Sequence, residues 1–334
     1  MTAERDTSTA KPKTLSWESE LNDEKGTWER TRSVYRDAPP SDEADRYVIY
    51  GSHACPWATR VKMLIDMLGL GEAIAIIDSD PVFGVIQEDT QQTGWVFSEE
   101  YPDPLYGEPT LKDVYLLGNP EHASKSTTPM LWDKRERRVL HNESQEMAPI
   151  LHDLFRARAT HPEVDLYPED LRQAIDELYA DLYDPLLNGV YRAGFASKQE
   201  IHDEAVDGIF AKLDELEARL QSQRWVLGDR FTFADIILFP TLWRFDFVYN
   251  IHFKCSLRRI QDYPALRGYV REIYSWPITK RSNSIELTRK HYYTSHYVIN
   301  PHRLIAKVDL SWMDRAHGRD HLEQQAPYWF MVQE

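Results

Sequence analysis

The sequence predicts an α/β domain followed by an all-α domain, and three observations carry that expectation. The first is Tyr47-Val48-Ile49-Tyr50, a β-branched and aromatic run that leads through a short turn into Cys55-Pro56 and an apolar helix pattern. The second is a pair of short apolar runs, Pro129–Asp133 and Arg138–Leu140, spaced as a hairpin. The third is a change after Pro168, beyond which the apolar residues recur only at helical spacing. A chain of 334 residues has room for two such domains.

Taken in order, residues 1–45 are rich in Glu, Asp, Lys, Ser and Pro, with Trp17, Trp28 and Tyr35 among them. They read as an arm draped over the body and anchored by those rings. A disordered tail is the competing reading for the first fifteen residues. Tyr47–Tyr50 is a strand, Gly51–Cys55 a turn, and Pro56–Leu68 a helix closed by Gly69. Ala73–Ile77 is a second strand. Asp78 to about Thr127 reads as one long polar loop, a length usually reserved for functional insertions. The hairpin follows, and then a helix over Glu143–Phe155. The order β-α-β-loop-β-β-α is that of a thioredoxin fold. Beyond it, Ala205, Ile209, Leu213, Leu216 and Leu220 form one apolar stripe. Thr232 to Asp235 has the spacing of a capping box and opens a further helix, and another runs from Pro264 to Tyr274. The division expected is an arm over 1–45, a thioredoxin-like domain over 46–160 and an all-helical domain with a C-terminal extension over 161–334.

Composition excludes several classes of function. Acidic residues outnumber basic ones by 54 to 39, a net charge of -15, so no clustered positive surface for nucleic acid is expected. Cys55 and Cys255 are the two cysteines of the whole chain, which excludes a secreted disulfide scaffold. Met1 to Lys13 has no apolar core of a secretory signal. The best apolar stretch, Ile236–Trp243, is interrupted by Pro240 and falls short of the ~20 residues that span a bilayer. The expectation is a cytoplasmic protein of a reducing compartment, with no membrane partner.

Cys55 is the residue on which chemistry converges. Proline favours the first helical position because its missing N–H would be unpaired there anyway. Pro56 therefore puts Cys55 at the helix N-cap, where free backbone N–H groups and the helix dipole favour a thiolate nucleophile. His53, two positions earlier, is a candidate for added positive charge. Ala58 stands where a second cysteine would resolve a mixed disulfide, so the site is monothiol and needs an external thiol, for which glutathione is the cytoplasmic candidate. Cys255, in Phe253-Lys254-Cys255, has no such setting and reads as structural. Pro129 opens the strand opposite the cysteine, where a cis-proline would expose backbone groups to a peptide-like ligand through Met130; an ordinary trans proline is the competing reading. Glu143-Ser144 starts the next helix, where free N–H groups and a hydroxyl can hold a carboxylate and Glu143 an ammonium group; simple helix capping competes.

In combination these residues resemble the glutathionyl-hydroquinone reductases, the Xi-class relatives of the glutathione transferases, from about Arg46 to Asp320. The markers are Cys55-Pro56-Trp57-Ala58 with Arg60, Gly94-Trp95-x-Phe97, Pro129-x-Leu131-Trp132-Asp133 and Asn142-Glu143-Ser144-x-Glu146. In the second half they are Gly189 to Ala196, Arg244-Phe245-Asp246-x-Val248-Tyr249, His252-Phe253-Lys254, His291-Tyr292-Tyr293-x-Ser295-His296 and His317-Gly318-Arg319-Asp320. The resemblance implies a homodimer with a glutathione-transferase-like helical domain. It implies reduction of glutathionylated hydroquinones through a Cys55–glutathione disulfide that a second glutathione resolves. Trp95, Lys125, Met130 (through its backbone), Glu143 and Ser144 would hold glutathione, and Tyr191 and Tyr292 would face the hydroquinone.

The chain departs from the family pattern at four places. Thr59 stands for a histidine and Thr128 for a valine; Lys125 replaces an arginine, losing its two-point fork. A Gly-Pro near the C-terminal end is absent from Ile305 to Leu310. Two other readings compete: a glutathione transferase or reductive dehalogenase for another aromatic, and a non-catalytic glutathione-fold binding protein. Metal chemistry is not expected. The pairs His291/His296 and His317/His321 lack the Glu of a His-Glu-x-x-His motif and read as solvated loop histidines.

Overall fold

The computed structural model describes residues 15–22 and 24–332. The first fourteen residues, which include most of the expected tail, lie outside the described residues. The arm carries a small ladder, β1 (Leu21–Asn22) against β2 (Thr27–Trp28). Trp17 and Trp28 are buried on the body and Tyr35 is half-buried against Tyr115.

The first half is built on β3 (Tyr47–Gly51), α1 (Pro56–Leu68), β4 (Ile74–Asp78), a small hairpin of β5 (Gly84–Gln87) and β6 (Gln92–Gly94), α2 (Leu111–Gly118), β7 (Met130–Asp133), β8 (Arg138–His141) and α3 (Ser144–Phe155). The main sheet has the order β4-β3-β7-β8. Strand β3 pairs parallel with β4 and antiparallel with β7, so a crossover helix joins the parallel pair. Both faces are covered, which is why β3 reads as an unbroken apolar run. Tyr47 and Ile49 pack with Val61, Leu64 and Leu151 on the α1/α3 face, while Val48 and Tyr50 pack with Val114 and Tyr115 of α2 on the other.

Helix α2 and the hairpin both lie inside the stretch expected to be one polar loop. That expectation is corrected. Eight residues, Leu-Lys-Asp-Val-Tyr-Leu-Leu-Gly, are too short for a firm periodicity. The local signal was the cap, since the Thr110 side chain accepts from the Asp113 N–H at 3.1 Å.

The second half is helical: α4 (Arg172–Leu182), α5 (Gly189–Gly194), α6 (Gln199–Leu220), α7 (Phe233–Arg244), α8 (Pro264–Ser275), α9 (Pro277–Ser282) and α10 (Ile285–Ser295). The stripe expected on α6 is buried. Every residue of α7 is buried, so it is the helix around which the others pack. Its capping box is formed: the Thr232 side chain accepts from the helix N-terminus, and Asp235 accepts from the Thr232 N–H at 3.0 Å. No helix among the described residues is long and apolar enough to cross a membrane.

The two halves are joined through α1, which packs on α3 of its own half and on α7 of the other. The C-terminal extension adds to this. The Arg319 guanidinium is buried between α6 and α8, paired with Glu272 at 2.9 Å and donating to the carbonyls of Leu220 and Ala265. Farther on, Trp329 donates to the Met67 carbonyl at the end of α1 at 3.0 Å.

Candidate active site

Cys55 is the N-cap of α1 with Pro56 in the first turn; its extended backbone (φ -79°, ψ 119°) lets its carbonyl take the first helical bond, from Thr59 N–H at 3.0 Å. Cys55 is 6% exposed, and its thiol donates to the Thr128 carbonyl at 3.4 Å. The Thr128–Pro129 peptide, just before the strand opposite the cysteine, is cis. Thr59 is explained by what grips it. Its hydroxyl donates to the Cys55 carbonyl at 3.0 Å and accepts from Arg244 of α7 at 3.0 Å, while Arg244 also donates to the Ala54 carbonyl at 3.4 Å. The helical half thus holds the cysteine turn directly.

Two cavities meet at this point. One, of about 330 Å³, is lined by Glu143, Ser144 and Gln145 at the start of α3, by Thr128 and Pro129, and by Arg32 and Ser33 of the arm. Glu143 caps α3, accepting from the Gln145 N–H at 3.3 Å, and Ser33 donates to its other oxygen at 3.2 Å. The Ser144 hydroxyl is buried with no partner, an unfilled donor at a helix N-terminus.

The second cavity is lined by Cys55 together with aromatic side chains that include Trp28, Trp95, Tyr191, Phe195 and Tyr292. Tyr191 and Tyr292 share a hydrogen bond at 2.6 Å, and Tyr249 joins Tyr292 at 3.2 Å. Burial first, and then the neighbouring phenols, hold Tyr191 and Tyr292 well above the ordinary tyrosine range, so both are proton donors at neutral pH. Gly194 is required behind this wall, because a Cβ there would meet the Phe253 ring at 2.2 Å. Trp95 stacks on His291 with ring centroids 4.9 Å apart. His291 Nδ1 donates to the Pro81 carbonyl at 2.6 Å, and burial pushes the ring down to about 3, so it is neutral.

Three expectations need correction. Met130 lines neither cavity; it is fully buried and in register with Tyr50, and the backbone that reaches the thiol belongs to Thr128. His53 does not add charge. It bonds Asp78 at 3.1 Å beside Lys62, and burial, with Lys62 next, pushes its pKa down. His291 and His296 are not solvated but buried in the cavity wall, and His296 is likewise held neutral by burial. Among the described residues no cluster of His, Cys, Asp and Glu is arranged to hold a metal ion.

Lys125 lines the thiol cavity, but its ammonium is already paired with Glu20 of the arm at 2.6 Å. The arm was the part of the site that sequence reasoning missed. Glu20, Trp28 and Arg30 all line the cavity, with Trp28 stacked on Tyr191 at 5.5 Å. The anchoring role of Trp17 and Trp28 was expected from their spacing; their place in the pocket wall had no local signal.

Known proteins share much of this sequence and fold. Residues 199–272 match the family model for the glutathione S-transferase C-terminal domain. The glutathionyl-hydroquinone reductase PcpF of Sphingobium chlorophenolicum is 41% identical over 282 residues, covering 83% of this chain and 88% of that protein. The reductase YqjG of Escherichia coli is 37% identical over 312 residues, covering 88% and 93%. The glutathione-bound structure of YqjG superposes with a TM-score of 0.80 over 86% of this chain and 96% of its own. A Xi glutathione transferase of Phanerochaete chrysosporium, 36% identical, superposes with a TM-score of 0.81 over 86% of this chain and 95% of its own.

Proposed function

The chain belongs to the glutathionyl-hydroquinone reductases, the Xi class of the glutathione transferases, with glutathione as co-substrate; from that premise we propose a mechanism carried by Cys55. The observation that supports it is the helix-start thiol lining one cavity with Tyr191 and Tyr292, beside a second cavity lined by Glu143 and Ser144.

The conjugate lies across both cavities. Its γ-glutamyl end meets Glu143 and the unpartnered Ser144 hydroxyl, its cysteinyl backbone runs along Thr128, and Trp95 walls the far side. The aromatic ring enters the pocket of Tyr191 and Tyr292. The Cys55 thiolate attacks the glutathione sulfur. A sulfur–sulfur bond forms and the sulfur–carbon bond breaks. The sulfur-bearing ring carbon first takes up a proton as the ring shifts to its keto tautomer, so the electron pair of the broken bond passes to the ring oxygen as a phenolate. The ring is thereby reduced and the two sulfurs oxidised to a disulfide. In the hydrogen-bonded pair of Tyr191 and Tyr292 one hydroxyl donates to the other, and the proton left free donates to the hydroquinone oxygen as charge develops there. A second glutathione thiolate then attacks the glutathione sulfur of the mixed disulfide. Oxidised glutathione departs and the Cys55 thiolate returns. With no resolving cysteine at Ala58, this external step is required.

The test is to incubate the protein with glutathione and a glutathionyl-hydroquinone, following products by mass spectrometry beside Cys55→Ser. Wild type is expected to release free hydroquinone and to carry one glutathione on Cys55 when starved of the second thiol. Full activity in the variant would sink the mechanism. The family resemblance also leads us to propose a homodimer, which sedimentation of the full chain checks.

A further inference from the structure

Arg30 sits where the two cavities join, and the mechanism above gives it no task. Together with Trp57, Thr127 and Thr128 it lines both cavities. Its guanidinium lies over the rings of Trp57, Trp28 and Tyr191, at 4.6, 5.0 and 5.3 Å from their centroids. Its Nε donates to Asn188 Oδ1 at 2.9 Å, which fixes the direction of the fork. Among the described residues the two terminal nitrogens have no hydrogen-bond partner.

The charge is real and lacks a bonded counter-ion. Burial works against it, but Glu20 and the surrounding phenols outweigh burial and keep Arg30 protonated. Glu20 acts on Arg30 through its charge and makes no hydrogen bond to it. One of its oxygens takes the Thr31 N–H at 2.8 Å and the other takes Lys125 at 2.6 Å. Trp57 adds an independent sign, for its indole Nε1 is buried without an acceptor. A cation caged by three rings, with unused donors of its own and an unused donor beside it, is costly unless an acceptor-rich anion arrives. A planar fork of two N–H groups matches a carboxylate.

We propose that Arg30 is a binding residue that receives a carboxylate of the glutathionylated substrate. The inference rests on the reading of the two cavities as the conjugate's site. The carboxylate has two possible sources, glutathione itself or an acid group on the aromatic ring, and the same experiment separates them.

Binding is measured by calorimetry in the Cys55→Ser background, where turnover does not interfere, with and without Arg30→Gln. Three ligands are used: S-(dihydroxyphenyl)glutathione, its diethyl ester, and the conjugate of a hydroquinone carrying a ring carboxymethyl group. If glutathione supplies the carboxylate, Arg30→Gln weakens the free-acid conjugates about tenfold or more, and the ester shows no such loss. If the ring supplies it, only the carboxymethyl conjugate suffers that loss. Arg30→Lys, which keeps the charge and loses the fork, is expected to fall between. An unchanged affinity for all three ligands, or a loss equal within about twofold for all three, overturns the proposal. Circular dichroism of each variant excludes unfolding as the cause. Because binding is read without turnover, a failure of the reductase reading leaves this result standing.

Discussion

At the scale of single residues, the two cysteines show how position decides chemistry. Cys255 is fully buried, and burial pushes its thiol up to about 12. Cys55 lines a cavity at a helix start. Brief treatment with iodoacetamide at pH 8, read by peptide mass spectrometry, is expected to label Cys55 at least about tenfold faster than Cys255. Equal rates would remove the basis for singling out Cys55. The tyrosines offer a second test. Tyr249 bonds Tyr292 at 3.2 Å, and Tyr292 bonds Tyr191 at 2.6 Å, so the phenols form a chain. Removing the hydroxyl nearest the substrate should cost most: Tyr191→Phe and Tyr292→Phe are expected to lower kcat by about 10–100-fold, and Tyr249→Phe by less. A larger loss at Tyr249 than at the other two would reverse the assignment. Of this site, the Cys-Pro signature was legible because it is local. Tyr249 was visible within a motif but carried no role, since its partner lies 43 positions away. The carbonyl that meets the thiol belongs to Thr128, two positions before Met130, because pattern locates a strand but does not say which backbone group faces the cavity.

At the scale of elements, the same distinction separates what was read from what was not. The strand–turn–helix at β3 and α1, the α6 stripe and the α7 capping box were legible because each is set by neighbours within a few positions. The arm has no such self-contained pattern. Its place is set by pairings across the chain: Glu20 with Lys125 at 2.6 Å, Trp17 with Thr93 at 2.9 Å, and Arg30 with Asn188 at 2.9 Å. The Glu20 carboxylate is buried, and although burial opposes its charge, Lys125 and Arg30 draw its pKa below the ordinary value. Removing that charge leaves Lys125 in the pocket wall without its counter-ion. Glu20→Gln is therefore expected to weaken docking of the arm by about 1–3 kcal/mol without unfolding the body. Hydrogen exchange would show faster opening over residues 15–31 and unchanged protection in α6 and α7. Unchanged exchange in the arm would mean that its aromatic anchors alone hold it.

At the scale of the whole molecule, buried titratable groups set how stability responds to pH, and two sets of them pull in opposite directions. Burial holds His122 and His252 down to about 4 and His291 to about 3, and it also lowers His53, His141 and His296. In the unfolded chain these rings take up protons as pH falls through about 6.5, while the folded chain refuses them. Their contribution is present above that pH and is lost as pH falls toward the folded values. The buried acids act the other way. Desolvation raises Asp235 to about 7 and Asp246 to about 6, and it raises Asp66 as well. The folded chain keeps these protons after the unfolded chain has lost them, so their contribution is present at low pH and is lost as pH rises through the folded values. Between pH 7 and pH 5 the histidines outnumber the acids, and the unfolded state binds more protons than the folded one. Each unmatched proton is worth about 1.4 kcal/mol per pH unit. The urea midpoint is therefore expected to fall from pH 7 to pH 5, and the acids make that fall shallower than the histidines alone would produce. His291→Phe keeps the flat ring against Trp95 and deletes one of the opposing protons. It should flatten the slope between pH 6.5 and pH 5 by up to about one proton. A midpoint that is level or rises on going from pH 7 to pH 5 would show that the buried acids, not the histidines, govern the balance.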